Sequence, residues 1–117
     1  MLVIEDHRDT ADSMQMLLGL MGHEVAVATN GPDGLRMARE WAPRVVLCDI
    51  ALPGLDGYEV ARRLRADPAT DRLALIAITG YGHEADRQRS RAAGFDIHLV
   101  KPVEPADLDR LLLATPE

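Results

Sequence analysis

Residues 44–59 read RVVLCDIALPGLDGYE, Arg44 to Glu59, and how this stretch folds decides the fold of the chain. Val45, Val46, Leu47 and Cys48 make a short apolar run of the kind that forms a buried strand. The next residue is an acid, Asp49. Ile50 to Gly57 then carries Pro53, Gly54, Asp56 and Gly57, breakers that mark a loop. A carboxylate at the end of a buried strand loses hydration unless something nearby compensates it, so Asp49 needs a reason to be there.

Outward from this stretch the same alternation recurs. Leu2 to Ile4 is an apolar run ending at Glu5-Asp6, followed by a helical pattern from Thr10 to Met21 built on Met14, Leu17, Leu18 and Met21 and stopped by Gly22. Glu24 to Ala28 reads as a second strand, Asn30-Gly31-Pro32 as a turn, and Asp33 to Trp41 as a helix closed by Pro43. After the strand Arg44–Cys48 and its loop comes a helix from Gly57 to Ala66. Leu73 to Ile78 is a fourth strand, ending at Thr79-Gly80. Glu84 to Ala93 is a helix with almost no large apolar residue, stopped by Gly94. Ile97 to Val100 is a fifth strand ending at Lys101-Pro102, and Pro105 to Ala114 a last helix on Leu108, Leu111 and Leu112. Five strands alternating with five helices predict an α/β fold, a three-layer sandwich with a parallel sheet. Continuous apolar strands fit a sheet covered on both faces. Residues 1–117 read as one domain, with no second domain expected.

Composition narrows the function. The formal net charge is −6, there is no basic run, and the aromatics are one Trp, two Tyr and one Phe, so direct nucleic-acid binding is not expected. No apolar run approaches the ~18 residues of a membrane span, and no signal-type segment opens the chain. The single Cys48 excludes an internal disulfide and suits a reducing cytoplasm; it reads most simply as a small buried strand residue. Of the 13 basic residues, Lys101 is the only lysine and the rest are arginine. Lysine is a compact point charge where arginine is a planar fork, so that exception marks a chemical requirement.

In open parallel sheets ligands bind beyond the carboxyl ends of the strands, where strand order reverses. Strand 1 ends in Glu5-Asp6, strand 3 in Asp49, strand 4 in Thr79 and strand 5 in Lys101. In the flavodoxin-like order 2-1-3-4-5, strands 1 and 3 are neighbours and the three carboxylates meet. Clustered carboxylates raise one another's pKa, and a hard divalent ion resolves the conflict. Mg²⁺ is the expected cofactor, with Mn²⁺ as a substitute. Asp6 and Asp49 are placed to ligate directly, Glu5 to hold a coordinated water, and the Ala51 carbonyl to add an oxygen. Lys101 and Thr79 are placed to reach phosphoryl oxygens.

The segments VIEDH (Glu5, Asp6), LCDIALPGLDGYE (Asp49), IAITGYG (Thr79) and HLVKP (Lys101), in order and each ending a strand, resemble the receiver domain of bacterial two-component response regulators over essentially the whole chain. The resemblance implies that Asp49 is the phosphoacceptor. It would take its phosphoryl group from a phosphohistidine on a sensor histidine kinase or histidine phosphotransfer protein, with Mg²⁺ bound. It implies a switch in which Thr79 moves toward the phosphoryl group and the strand 4–helix 4–strand 5 surface rearranges, extending to helix 5. It also implies a cis Lys101–Pro102 peptide. The segments ADSMQMLL, DGYEVARRLR and GFDIHLVKPVEPADL further resemble receivers fused at the C-terminus of hybrid sensor kinases. Dimerisation through helix 4, strand 5 and helix 5 is compatible with the family, without specific support.

Two departures bear on mechanism. Family members often place Tyr or Phe three residues before the lysine as rotamer partner of the threonine; this chain has His98, equally readable as a half-exposed strand histidine. Ala51 and Tyr81 stand where the family tunes hydrolysis of the aspartyl phosphate, and predict slow self-dephosphorylation. His7 reads as a surface histidine, because no zinc-type spacing accompanies it. Three rival readings remain. A haloacid-dehalogenase-like phosphatase needs a second aspartate two residues after the nucleophile, where this chain has Ala51. An FMN module would meet repulsion from Glu5-Asp6. A receiver acting by binding alone would take up no phosphoryl group.

Overall fold

The computed structural model describes residues 1–80, 84–101, 103–104, 106–108 and 110. Nine elements follow one another: β1 (Leu2–Ile4), α1 (Arg8–Leu20), β2 (Ala26–Ala28), α2 (Gly31–Trp41), β3 (Val45–Asp49), α3 (Gly57–Ala66), β4 (Ala74–Thr79), α4 (Glu84–Ala93) and β5 (Ile97–Val100). Residues 106–108 and 110 are helical as well, where a fifth helix is expected, and the rest of that helix lies outside the described residues. So do Tyr81 and Pro102, and with Pro102 the expected cis peptide.

The strands pair in parallel in the order β2-β1-β3-β4-β5, as expected. β3, the middle strand, is buried throughout, and alternate residues serve two cores. Leu2, Ile4, Val46, Cys48, Leu75 and Ala77 pack with Val60, Ala61 and Leu64 of α3 and Ala38 of α2. Val3, Leu47, Ile76 and Ile78 pack on the other face with Met14 and Leu18 of α1 and with Leu108. That two-sided burial is why the strands read as unbroken apolar runs.

Several boundaries differ from the sequence expectation, α1 and β4 by one or two residues at each end, and three others for a clear local reason. Asn30-Gly31-Pro32 is not a separate turn: Asn30 caps α2, its Oδ1 accepting the Asp33 amide at 2.8 Å, and Pro32 sits in the first turn. Proline there sacrifices no helical hydrogen bond, since the first amides have no intrahelical acceptor. β3 extends to Asp49 because Asp49 still pairs with Ile78. β2 is shorter than expected because β1 offers it partners only at Leu2 to Ile4, matched with Ala26 to Ala28.

α3 enters close beneath the loop that follows Asp49. Its first residue, Gly57, donates its amide to the Ile50 carbonyl at 3.0 Å. A Cβ at Gly57 would lie 2.6 Å from the Asp49 carbonyl oxygen and 2.7 Å from Ile50 Cα. Glycine there lets the helix clamp the backbone that carries Asp49. Asp56 caps the same helix by accepting the Glu59 amide at 3.0 Å. Among the described residues no helix is long and apolar enough to cross a membrane.

Candidate functional site

The parallel sheet delivers its strand ends to one edge. Glu5 follows β1 directly, its amide bonded to the Ala28 carbonyl at 3.0 Å; Lys101 follows β5, its amide bonded to the Thr79 carbonyl at 2.7 Å. Asp49 ends β3 between them. Carboxylate oxygens of Glu5, Asp6 and Asp49 all lie within 4.8 Å of one another. Asp6 is exposed, while Glu5 and Asp49 are only 3% and 5% exposed. Lys101 reaches over both: its Nζ is 3.1 Å from Asp49 Oδ2 and 3.4 Å from Glu5 Oε1. The Ala51 amide donates to Asp49 Oδ1 at 3.0 Å.

The electrostatics divide the two buried acids. Burial pushes the Glu5 carboxyl up, and neighbouring Asp49 pushes it further; Lys101 offsets only part, and its pKa stands at about 8 against an ordinary 4.5. Burial also pushes Asp49 up, but the hydrogen bond from Glu5, the Ala51 amide and Lys101 outweigh it and hold Asp49 below the ordinary range. Lys101 is disfavoured as a cation by burial, yet the hydrogen bond and charge of Asp49, with those of Glu5, raise its pKa. The resulting state is a protonated Glu5 beside an ionised Asp49 paired to an ammonium.

Among the described residues Glu5 Oε2 has no hydrogen-bonding partner, although it is fully buried. A proton bridging it to Asp49 or a cation are the two ways to compensate it. Three oxygen donors from carboxylates, one of them orphaned and one exposed, fit a hard divalent ion that keeps part of its water shell. The residues present therefore suit Mg²⁺.

The remaining expected residues are Thr79, His98 and Ala51. Thr79 is buried at the end of β4, paired with Val100 immediately before Lys101. His98 lies further back on β5, opposite Ala77, with its Nδ1 2.9 Å from Ser90 Oγ on α4. Ala51 contacts Asp49 through its amide. Ser90, 1% exposed, is the residue that sequence reasoning missed. A serine in a polar helix carries no signal of burial, and only the packing of α4 on β5 reveals it.

Comparison with known proteins agrees with this geometry. The family model described as response regulator receiver domain matches residues 1–113. An uncharacterised 14.6 kDa protein from the sodA1 3′ region of Leptolyngbya boryana is 38% identical over 95% of this chain and 85% of its own length. Transcriptional regulatory protein AfsQ1 of Streptomyces coelicolor is also 38% identical, over 97% of this chain, which spans about half (49%) of that protein. Among solved structures, the receiver domain of a sensor histidine kinase from Pseudomonas aeruginosa superposes with a TM-score of 0.90. The two are 31% identical over 97% of this chain and 93% of that one, and in that structure a magnesium ion is coordinated in the active-site cleft.

Proposed function

The chain belongs to the response regulator receiver domain family, and from that premise we propose that Asp49 takes a phosphoryl group from a phosphohistidine on a sensor histidine kinase or histidine phosphotransfer protein. Receiver domains partner with histidine kinases; as one of them the chain is a phosphorylated signalling module rather than a catalytic enzyme. The observation that carries the assignment to Asp49 is its setting. It is a buried, ionised carboxylate fixed at a strand end, with one oxygen on the Lys101 ammonium and the other on the Ala51 amide. A nucleophile held this way loses little freedom on reaching the transition state.

In the transfer, an Asp49 carboxylate oxygen bonds to phosphorus while the phosphorus–nitrogen bond of the phosphohistidine breaks. The bonding electrons leave with the imidazole nitrogen, and the product is an aspartyl phosphate. Lys101, released from its contact with the Asp49 oxygen, pairs with the phosphoryl charge, and the Thr79 hydroxyl donates to another phosphoryl oxygen. Glu5, Asp6 and Asp49 would hold Mg²⁺, or Mn²⁺ in its place, with the Ala51 carbonyl as a further ligand. Once bound, the ion neutralises charge on the carboxylates and on the transferred group. Movement of Thr79 would then shift His98 and its partner Ser90, and so bias α4 and β5 and the helical residues 106–108 beyond them.

Residues 1–117 are assigned as one receiver domain, in keeping with the family match over 1–113. The cytoplasm suits it, since the phosphodonor and a reduced cysteine both belong there. Relatives include a chain of similar length and longer regulators, so the output is passed by contact with another domain, in cis or in trans.

The test is intact mass after incubation with acetyl phosphate, with and without Mg²⁺, for the native chain and Asp49→Ala. A Mg²⁺-dependent gain of one phosphoryl group, absent in the variant, is expected. Gain persisting in Asp49→Ala would move the nucleophile elsewhere. No gain with acetyl phosphate or with a phosphorylated histidine kinase would leave a receiver that acts by binding alone.

A further inference from the structure

Between α1 and the sheet lies a cleft of about 470 Å³. Among the described residues its apolar walls are Val3 of β1, Ile78 of β4, Met14 and Leu17 of α1, and Val103. Its buried end is formed by Glu5 and Asp49 beneath Lys101, and its exposed side by Thr10 and Ser13. Thr10, Ser13, Met14 and Leu17 stand three and four residues apart, so they share one face of α1. Thr10 and Ser13 are too short to fill the space beside the acids, and the cleft stays open there.

Leu17 and Val103 are only half-buried, so apolar surface lies along an open cleft instead of being closed over by the fold. The volume falls within the ~300–1,000 Å³ of small-molecule sites, and apolar walls with a few convergent polar groups are their usual make-up. Phosphoryl transfer to Asp49 engages Glu5, Asp49 and Lys101 and gives the apolar walls no part.

We propose that this cleft seats the acyl chain of a small phosphodonor, a linear acyl phosphate with a chain longer than that of acetyl phosphate, which delivers its phosphoryl group to Asp49. The inference rests on Asp49 as phosphoacceptor and names a donor class for it. Continuity is the first reason. Asp49 and Lys101 line the same cleft as Leu17 and Val103, so a donor whose phosphoryl group meets the first pair has its remaining atoms beside the second. The leaving group is the second reason. Thr10 and Ser13 offer it only hydroxyls, which are poor general acids. Lys101 is engaged with a phosphoryl oxygen, and Glu5 gives up its proton to bind a cation. The leaving group must therefore depart as a stable anion, and a carboxylate does. An Asp49 oxygen bonds to phosphorus, the bond from phosphorus to the acyl oxygen breaks, and its electron pair leaves on the carboxylate with no proton needed.

The experiment compares kcat/KM for mass gain, with Mg²⁺, from acetyl, butyryl and hexanoyl phosphate, whose carboxylate leaving groups are nearly equal in acidity. A fully buried methylene is worth about fourfold; in a cleft open on one side about twofold each is expected, so hexanoyl phosphate should exceed acetyl phosphate roughly tenfold. Ser13→Phe, at an exposed position of the cleft, puts a ring into it and should flatten the series. Met16→Phe, on the outer face of α1 where Met16 is 70% exposed, should keep it. Hexylphosphonate, which has no group to transfer, reads the cleft by itself. It should move amide signals of Thr10 to Leu17 in the ¹⁵N-labelled, Mg²⁺-loaded chain more than methylphosphonate does. Equal rates along the series, or a slope that survives Ser13→Phe, would overturn the proposal and leave Asp49 in place. No gain from any of the three donors, or gain persisting in Asp49→Ala, would remove the phosphoacceptor reading and the proposal with it.

Discussion

Lys101 is shared by two buried acids, 3.1 Å from Asp49 and 3.4 Å from Glu5. Its removal leaves Asp49 with the Ala51 amide and the Glu5 proton, and takes from both acids the charge that offsets their burial. Lys101→Met should therefore lower stability by about 1–3 kcal/mol, the low side of the cost of uncovering a buried charge because the lysine is partly exposed. Urea unfolding without divalent ions measures this, and no loss would mean that the contact is incidental. Phosphoryl gain should fall at least tenfold. Lys101→Arg should not restore it, since a planar fork cannot take the place of a point charge between two carboxylates. Gly57 is as exacting for a different reason. In Gly57→Ala the new methyl meets the Asp49 carbonyl oxygen at 2.6 Å, against backbone that has no rotamer to yield. The expected cost is about 1–3 kcal/mol, together with slower phosphorylation because Asp49 shifts; native stability and native rate would refute it.

At the scale of elements, α4 is the lightly anchored one: its buried residues are Ser90 and Ala93, both small. Arg65 of α3 fastens the chain just beyond its C-terminal end. The Nε bonds the Gly94 carbonyl at 2.9 Å, Nη1 the Leu73 and Asp71 carbonyls at 2.7 and 2.9 Å, and Nη2 Asp96 at 2.8 Å. Arg65→Ala should cost about 2–3 kcal/mol, several hydrogen bonds made by one charged group. It should raise hydrogen exchange in the second half of α4 and in β5 well above that in β1, and uniform exchange would contradict the clamp. Little of this was legible in the sequence. Arg65 looks like its neighbours Arg62 and Arg63, and what separates it is three carbonyls brought together by tertiary packing. By contrast, the strand-end residues Glu5, Asp49 and Lys101 were legible, because a parallel sheet forces a fixed relation between an apolar run and the polar residue that ends it. Asn30-Gly31-Pro32 misled for the opposite reason: turn formers also start helices, and only the cap contact on Asp33 decides between the two.

For the whole molecule, the pair of perturbed acids makes stability a reporter of the site. Between its ordinary 4.5 and about 8, Glu5 keeps a proton in the folded chain that the unfolded chain has released. Raising pH through that window therefore favours unfolding, by at most about 1.4 kcal/mol per pH unit for one proton. Asp49, held below its ordinary range, adds stability that is present above about pH 4 and lost below it, so between pH 5 and 8 that stability is constant and adds no slope. Without divalent ions, the urea midpoint should fall from pH 5 to pH 8, and Glu5→Gln should flatten that slope. Mg²⁺ acts in the opposite sense. A cation bound by Glu5, Asp6 and Asp49 must displace the Glu5 proton, so its affinity rises with pH through the same window. Binding only to the folded chain stabilises it in proportion to the logarithm of ligand excess. The gain in unfolding temperature on adding Mg²⁺ should thus be several degrees at pH 8.5 and clearly smaller at pH 6, and a chelator should abolish both. An equal gain at the two pH values, or one that persists in Asp49→Ala, would show that the ion stabilises the protein from some other place.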